Sequence, residues 1–155
     1  MISLVKADIS HARHVWLWRN DFDSRKMFRS QELVSWDDHQ DWFGKSLLSP
    51  TRFLYVGIDD SMGPLGIVRF DFMVNVKEFC SVSINVSPAA RGKGVGKQIL
   101  VDGIQLLKKD APSTRCVMAE IKSINFASLH LFRSLGFEYR ESLGAGLDLY
   151  SLSLF

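Results

Sequence analysis

A strand, a glycine-rich turn and a helix in immediate succession constrain this chain more than any other feature it has. The turn is Arg91-Gly92-Lys93-Gly94-Val95-Gly96. Before it runs the apolar, extended stretch Val82-Ser83-Ile84-Asn85-Val86, closed by Ser87-Pro88, and after it a helical pattern spans about 95–109. Glycine takes up positive φ without a Cβ clash and lets a backbone approach a ligand closely. The first N–H groups of a helix have no internal partner, and that end of the helix carries partial positive charge. A turn of this kind suits a phosphate, and Arg91 and Lys93 add formal charge beside the amides. The glycines alone fit a basic turn at a helix start equally well. Spacing narrows the choice. A Walker loop needs Gly, four residues and then Gly-Lys-Ser/Thr, which is absent. A dinucleotide fingerprint needs Gly-x-Gly-x-x-Gly, and here the glycines fall at every second residue.

The remainder of the chain alternates between the two periods of regular structure. Strands are expected over 2–6, 53–58, 65–72, 79–86, 115–121, 137–142 and 147–154. Helices are expected over about 9–19 with Asp8 as cap, 36–48 behind Ser35-Trp-Asp-Asp38, 95–109, and 126–135 behind Asn125 and ahead of Gly136. Residues 20–34 break both patterns and read as loop. In the stretch 65–72, Ile67, Arg69 and Asp71 alternate with Val68, Phe70 and Phe72, a strand with two distinct faces. The prediction is an α/β fold with a mixed, mostly antiparallel sheet and about four helices, forming one domain over 1–155.

Composition excludes several classes. Charged residues are 23% and the net charge is +2, so no large nucleic-acid surface is expected. No apolar run reaches the length of a membrane span, and the opening Met-Ile-Ser-Leu-Val-Lys-Ala-Asp has no secretory pattern, so the expected location is cytoplasmic. Cys80 and Cys116 both fall in apolar strand stretches and read as buried thiols, with no metal site expected.

Arg-Gly-x-Gly-x-Gly after a strand resembles the acetyl-CoA loop of the GNAT superfamily of N-acetyltransferases. The later stretch from Asn125 to Gly136-Phe137, an asparagine, a helix and then Leu-Gly-Phe, resembles the closing motif of the same family. The resemblance is specific over about 79–141. It implies a fold in which two central strands splay apart to admit the cofactor. It also implies that Arg91, Gly92, Lys93, Gly94, Val95 and Gly96 hold the pyrophosphate of acetyl-CoA. Ile84 and Val86 would pair with the pantetheine arm, which Asn125 and Ser128 would also touch.

Two positions depart from the family pattern. The helix residue that is often a tyrosine, acting as general acid near the sulfur, is Phe132, which has no proton to give. Its ring would still sit beside the cofactor. Tyr139, His130 and Tyr150 are the candidate substitutes for the acid, and protonation by solvent or no acid at all are the alternatives. The strand before the glycine loop carries no carboxylate at Cys80-Ser81-Val82-Ser83, which leaves Glu120 as candidate base. A partly desolvated carboxylate there would have a raised pKa, and a relaying water is the alternative.

The acceptor is expected to be a small-molecule amine held by Trp18, Arg19, Asn20 and Arg69, with Trp16 and Trp42 in the core. A guanidinium among aromatic rings suits phosphate or carboxylate. Trp18-Arg19-Asn20 and the Ser-Trp-x-x-His-x-x-Trp-Phe string at 35–43 resemble family members that acetylate an amino group on a nucleotide-linked sugar, as in pseudaminic acid synthesis. A protein N-terminal amine and a polyamine are the other acceptors considered, and a catalytically silent acyl-CoA-binding domain is the alternative of another class. The chain is expected to act as a monomer or homodimer.

Overall fold

A computed structural model of the protein describes residues 1–154. Its strands are β1 (Ile2–Lys6), β2 (Arg52–Asp59), β3 (Gly63–Phe72), β4 (Phe79–Val86), β5 (Cys116–Lys122), β6 (Glu138–Gly144) and β7 (Leu147–Ser153). They form one sheet in the order β1-β2-β3-β4-β5-β7-β6, in which β4–β5 is the parallel pair. The helices are α1 (Ala12–Asn20), α2 (Phe22–Arg25), α3 (Trp36–Leu48), α4 (Val95–Asp110) and α5 (Phe126–Ser134).

Period-two alternation gives the sheet two buried faces. On β3, Ile67 packs with Val15, Trp18 and Phe43 of α1 and α3, whereas Val68 and Phe70 pack with Ile99, Ile104 and Leu107 of α4. The spacing of Val95, Ile99, Leu100, Gly103, Ile104 and Leu107 puts one stripe of α4 on the sheet. Fully burying each of its large aliphatic side chains contributes about 1.5–3 kcal/mol. The helix lies close enough that a Cβ on Gly103 would sit 2.8 Å from Val68 Cγ1.

The parallel pair creates the feature that matters for function. β4 and β5 are in register only at Phe79–Cys116, Cys80–Val117 and Ser81–Met118. Beyond Ser81, β4 stays bonded to β3 as far as Val86, and β5 stays bonded to β7 as far as Lys122. The two strands therefore part at mid-sheet, and Val82–Val86 present a backbone edge that β5 does not cover.

Most element boundaries fall within two residues of expectation, and three differences stand out. The first helix opens with a 3-10 turn at Ile9–His11, where Asp8 accepts from the Ser10 amide at 2.8 Å and donates its own amide to His11 Nδ1 at 3.0 Å. The stretch read as loop contains α2, because the Asp21 carboxylate accepts from the Ser24 amide at 3.0 Å and starts a short helix. The strand expected to end at Ser142 continues to Gly144.

Candidate active site

The glycine turn has the backbone its sequence requires. Gly92 and Gly94 sit at φ +74° and +77°, and Gly94 is the N-cap of α4, with no side chain capping the helix. A Cβ at either position would meet nothing within 4 Å, so the need for glycine is conformational rather than steric. A Cβ on Gly96 would lie 3.5 Å from Val86 Cγ2 and from Leu131 Cδ2, which places the first turn of α4 against the end of β4 and against α5. Val95 is buried and fixes the helix start to the core, and Lys93 is exposed. The residues therefore suit a diphosphate: left-handed glycines, an uncapped helix N-terminus and a free lysine.

Arg91 is placed differently from what its position in the turn suggests. Its Nη2 donates to Asp21 Oδ2 at 3.1 Å and to Ser24 Oγ, which in turn donates to Asn85 Oδ1 at 3.2 Å. The guanidinium thus ties the glycine turn to α2 and to the free edge of β4. Burial pushes the Asp21 carboxyl up, but the Ser24 amide and Arg91 outweigh it and leave its pKa below the ordinary value.

Asn125, Ser128 and Phe132, also expected at the cofactor, have structural duties of their own. Asn125 caps α5, its Oδ1 accepting from the half-buried Ser128 amide at 3.2 Å. Phe132 is 3% exposed and packs edge-on against Phe137 at 4.9 Å, in the core cluster against which Ile84 and Val86 also pack. Ile84 and Val86 are half-buried at the parting of the strands.

A cavity of about 680 Å³ lies on the α1/α3 side of that parting. Residues of α1, α3, β3 and β4, the segment 27–34 and the end of β5 line it. The alternation of β4 turns Ser81, Ser83 and Asn85 towards it, and that of β3 does the same for Arg69 and Asp71. Arg69 Nε donates to Asp71 Oδ2 at 2.8 Å, and Arg52 Nε lies 3.2 Å from the other oxygen. Both guanidinium groups stand over the Trp42 ring, at 5.3 and 5.6 Å. Arg19 lies 4.3 Å over the Phe28 ring and donates through Nη2 to the Ser30 carbonyl at 3.1 Å, while its Nη1 is buried without a hydrogen-bond partner. Burial, with Arg25 and Arg69 nearby, lowers the basicity of Arg19. His39 donates from Nε2 to the Ala12 carbonyl at 2.8 Å, and its burial favours the neutral ring.

Glu120 reaches this cavity, but not as an isolated, desolvated carboxylate. Its side chain is 39% exposed, and Arg29 places Nη2 at 2.6 Å and Nε at 2.9 Å from Oε2.

Other expectations need correction. Trp18 is 5% exposed and belongs to the core between α1 and the sheet, so it offers no surface to an acceptor. Asn20 spends its amide on the backbone of Val34, donating to the carbonyl and accepting from the N–H, both at 2.8 Å. Tyr139 is exposed on β6 with its ring against Tyr150, and it does not line the cavity. Tyr150 is buried and accepts from Arg133 at 2.9 Å, and His130 is exposed on α5. Trp16 donates to the Val34 carbonyl at 2.7 Å, and Trp42, packed against the α1/α3 core, also lines the cavity. Sequence reasoning missed Trp42, Ser83 and Asn85 as lining residues. The polar alternation Ser81, Ser83, Asn85 was the available signal. Arg29 had none, since it sits in irregular backbone.

Known proteins share this fold. The sequence profile of the Acetyltransferase (GNAT) family matches residues 13–137. The chain is 30% identical over 128 residues to "Putative phosphinothricin acetyltransferase YwnH" of Bacillus subtilis (strain 168), covering 79% of this chain and 75% of that protein. The spermidine N-acetyltransferase of Vibrio cholerae, solved with CoA and spermine, superposes with a TM-score of 0.84 at 15% identity, over 98% of this chain and 95% of the other. The structure of "yncA, a putative ACETYLTRANSFERASE from Salmonella typhimurium with its cofactor Acetyl-CoA" gives 0.80 at 22% identity, over 100% of this chain and 95% of the other.

Proposed function

Given that the chain belongs to the acetyltransferase (GNAT) family, we propose that it uses acetyl-CoA as co-substrate and that its acceptor is a small primary amine that also carries an anionic group. The observation that carries this reading is Arg19. Its Nη1 is buried without a hydrogen-bond partner, in a cavity that Arg29 and Arg69 also line. A buried guanidinium nitrogen left unpaired costs stability, and a ligand carboxylate, phosphinate or phosphate would recover it through charge-assisted hydrogen bonds.

In the same cavity Glu120 is paired with Arg29, and Asp71 lies against Arg52 and Arg69 with its buried Oδ1 still lacking a hydrogen bond, an acceptor for the substrate's own ammonium. Further ammonium groups of a polyamine would have to compete with the arginines, so the polyamine reading is disfavoured. Nucleotide-linked amino sugars fall within the proposed class through their diphosphate. So does phosphinothricin, the compound in the name of the B. subtilis relative.

Acetyl-CoA supplies an activated acetyl thioester, whose C–S bond breaks as the acceptor nitrogen forms the new C–N bond. The chain's part is to grip, align and move protons. The turn 91–96 would hold the diphosphate through backbone amides, and the free edge of β4 would pair with the pantetheine arm. Arg19 and Arg69 would fix the acceptor's anion, so that the amine faces the parting of β4 and β5. Such alignment supplies much of the rate enhancement. Glu120, directly or through one water, would take the proton that an ammonium must lose before it can attack. The leaving sulfur would be protonated from solvent, since Phe132 cannot donate.

The test is thiol release from acetyl-CoA with a panel of L-phosphinothricin, L-glutamate, a UDP-linked amino sugar, spermidine and an N-terminal peptide. An anionic small amine is expected to give the highest kcat/KM, and Arg19→Gln should lower that value about tenfold or more, the worth of one charged hydrogen bond. Preference for spermidine, with Arg19→Gln neutral, would overturn the assignment.

A further inference from the structure

The segment 26–34 crosses the cavity as a strap. At one end its carbonyls are taken by side chains of α1 and α2: Ser30 by Arg19 at 3.1 Å, Gln31 by Arg25 at 3.2 Å, and Val34 by Trp16 and Asn20. At the other end it is fastened to β5. Lys122 Nζ donates to the Lys26 carbonyl at 2.8 Å, and Arg29 holds Glu120. Of these ties, the Arg29–Glu120 pair is the one made between two charged side chains that both line the cavity.

From this arrangement we infer that Arg29 is a specificity-determining residue that exchanges partners during turnover. In the free enzyme it occupies Glu120, and when the acceptor binds it moves to the acceptor's anionic group and leaves Glu120 free beside the amine. The inference rests on the proposed acceptor class and adds a coupling to it.

Three observations support the exchange. First, both donors of Arg29 converge on the single oxygen Oε2, at 2.6 and 2.9 Å, so the two-pronged face of the guanidinium is not spread across both carboxylate oxygens. An incoming carboxylate or phosphate can accept the two N–H groups on two oxygens, the geometry an arginine fork favours. Second, the Arg29 and Glu120 side chains are 69% and 39% exposed. An ion pair this wet contributes little to stability, so breaking it costs little. Third, the Lys122–Lys26 tie and the Arg19 and Arg25 contacts hold the strap independently. Arg29 can therefore change partner without releasing the segment.

The consequence is chemical. While Arg29 holds Oε2, that oxygen is turned to the guanidinium and not to the acceptor amine. Once freed, Glu120 can take one proton from the acceptor ammonium; the neutral amine then forms the C–N bond as the C–S bond breaks, and the second proton the nitrogen sheds passes through solvent to the departing sulfur. An amine without an anionic group can enter the cavity but leaves Arg29 on Glu120. Recognition of the acid group and activation of the base thus depend on the same side chain.

The experiment compares L-glutamate with its diamide, the same skeleton without carboxylates, in wild type, Arg29→Gln and Arg29→Lys. Exchange predicts opposite changes for the two amines. For L-glutamate, Arg29→Gln should raise KM about tenfold or more, the worth of a charged hydrogen-bonded contact. For the diamide it should raise kcat several-fold, because Glu120 is released. Arg29→Lys, which keeps the charge without the fork, should fall between. Equal losses on both amines would reduce Arg29 to a strap anchor and overturn the inference. If only the diamide reacts in the wild type and Arg29→Gln leaves its kcat unchanged, the inference also falls. A kcat gain on the diamide with no turnover of any anionic amine would sink the acceptor class while keeping the masking of Glu120. A readout that needs no turnover is the guanidinium Nε–H NMR signal of Arg29 in the CoA complex. It should shift on adding L-glutamate and stay in place with the diamide, and a signal unmoved by saturating L-glutamate would count against the exchange.

Discussion

Gly94 shows how one residue can be required for its backbone alone. Its φ of +77° falls where an L-residue pays about 1 kcal/mol or more, and no neighbour would obstruct a side chain. Gly94→Asp is expected to fold with a modest loss of stability and to lose CoA affinity by like charge at the diphosphate. Titration calorimetry would check this, and unchanged affinity would remove the phosphate role of the turn. Tyr55 makes a second residue-scale case. It is 1% exposed and donates to Asp110 Oδ2 at 2.7 Å. Burial and the Asp110 carboxylate both raise its pKa above the ordinary 10.0. The folded state therefore favours the protonated phenol. That contribution is complete below pH 10 and is lost as pH climbs from there through the raised folded value. Tyr55→Phe should cost about 1–2 kcal/mol near neutrality and flatten the alkaline loss of stability followed by circular dichroism. The Cys80 thiol, pushed by burial up to about 12, acts in the same direction. At this scale the sequence was a fair guide to residue type and a poor one to partners. Asn125 caps its helix as its motif predicts and Phe132 meets Phe137 of the same motif, whereas the partner of Arg91 is Asp21, seventy residues away, whose proximity no local pattern records.

Elements were more legible than contacts. The hydrophobic period recovered the strands and the long helices, and cap residues marked most helix starts. The short helix α2 escaped because four residues are too few to show a period, and the 3-10 turn before α1 escaped because its apolar spacing matches a helix start. The parting of β4 and β5 could be expected only from family resemblance. Pairing register is a relation between distant segments, and the stretch 82–86 reads as an ordinary strand throughout. Packing between elements yields its own prediction. Gly57 of β2 leaves room for Ile99 of α4, and a Cβ there would sit 2.8 Å from both Cγ1 and Cδ1 of the isoleucine. Gly57→Ala should destabilise by about 1–3 kcal/mol through overpacking, and Ile99→Ala by about 2–5 kcal/mol through the cavity it leaves. The double variant should be more stable than the sum of the two losses implies, because each change relieves the other. A urea-denaturation cycle measures that coupling, and strict additivity would mean that the helix shifts instead.

Across the whole molecule, the two faces of the sheet divide the work. The α4 face holds the larger core, and the α1/α3 face is hollowed where β4 and β5 diverge. Since CoA would bind only the folded chain, it should stabilise the protein by about 2.7 kcal/mol at a hundredfold excess over Kd. A melting curve that CoA leaves in place would argue that the glycine turn and the strand edge do not act together. No helix among the described residues is long and apolar enough to cross a membrane. The outermost strand, β6, is exposed at every position from Glu138 to Gly144. Its outer row of peptide groups is a template on which a stray segment could dock. Glu138, Arg140 and Glu141 are the charges that discourage such docking. Replacing them with valine would trade a well-behaved solute for one that clumps as its concentration rises.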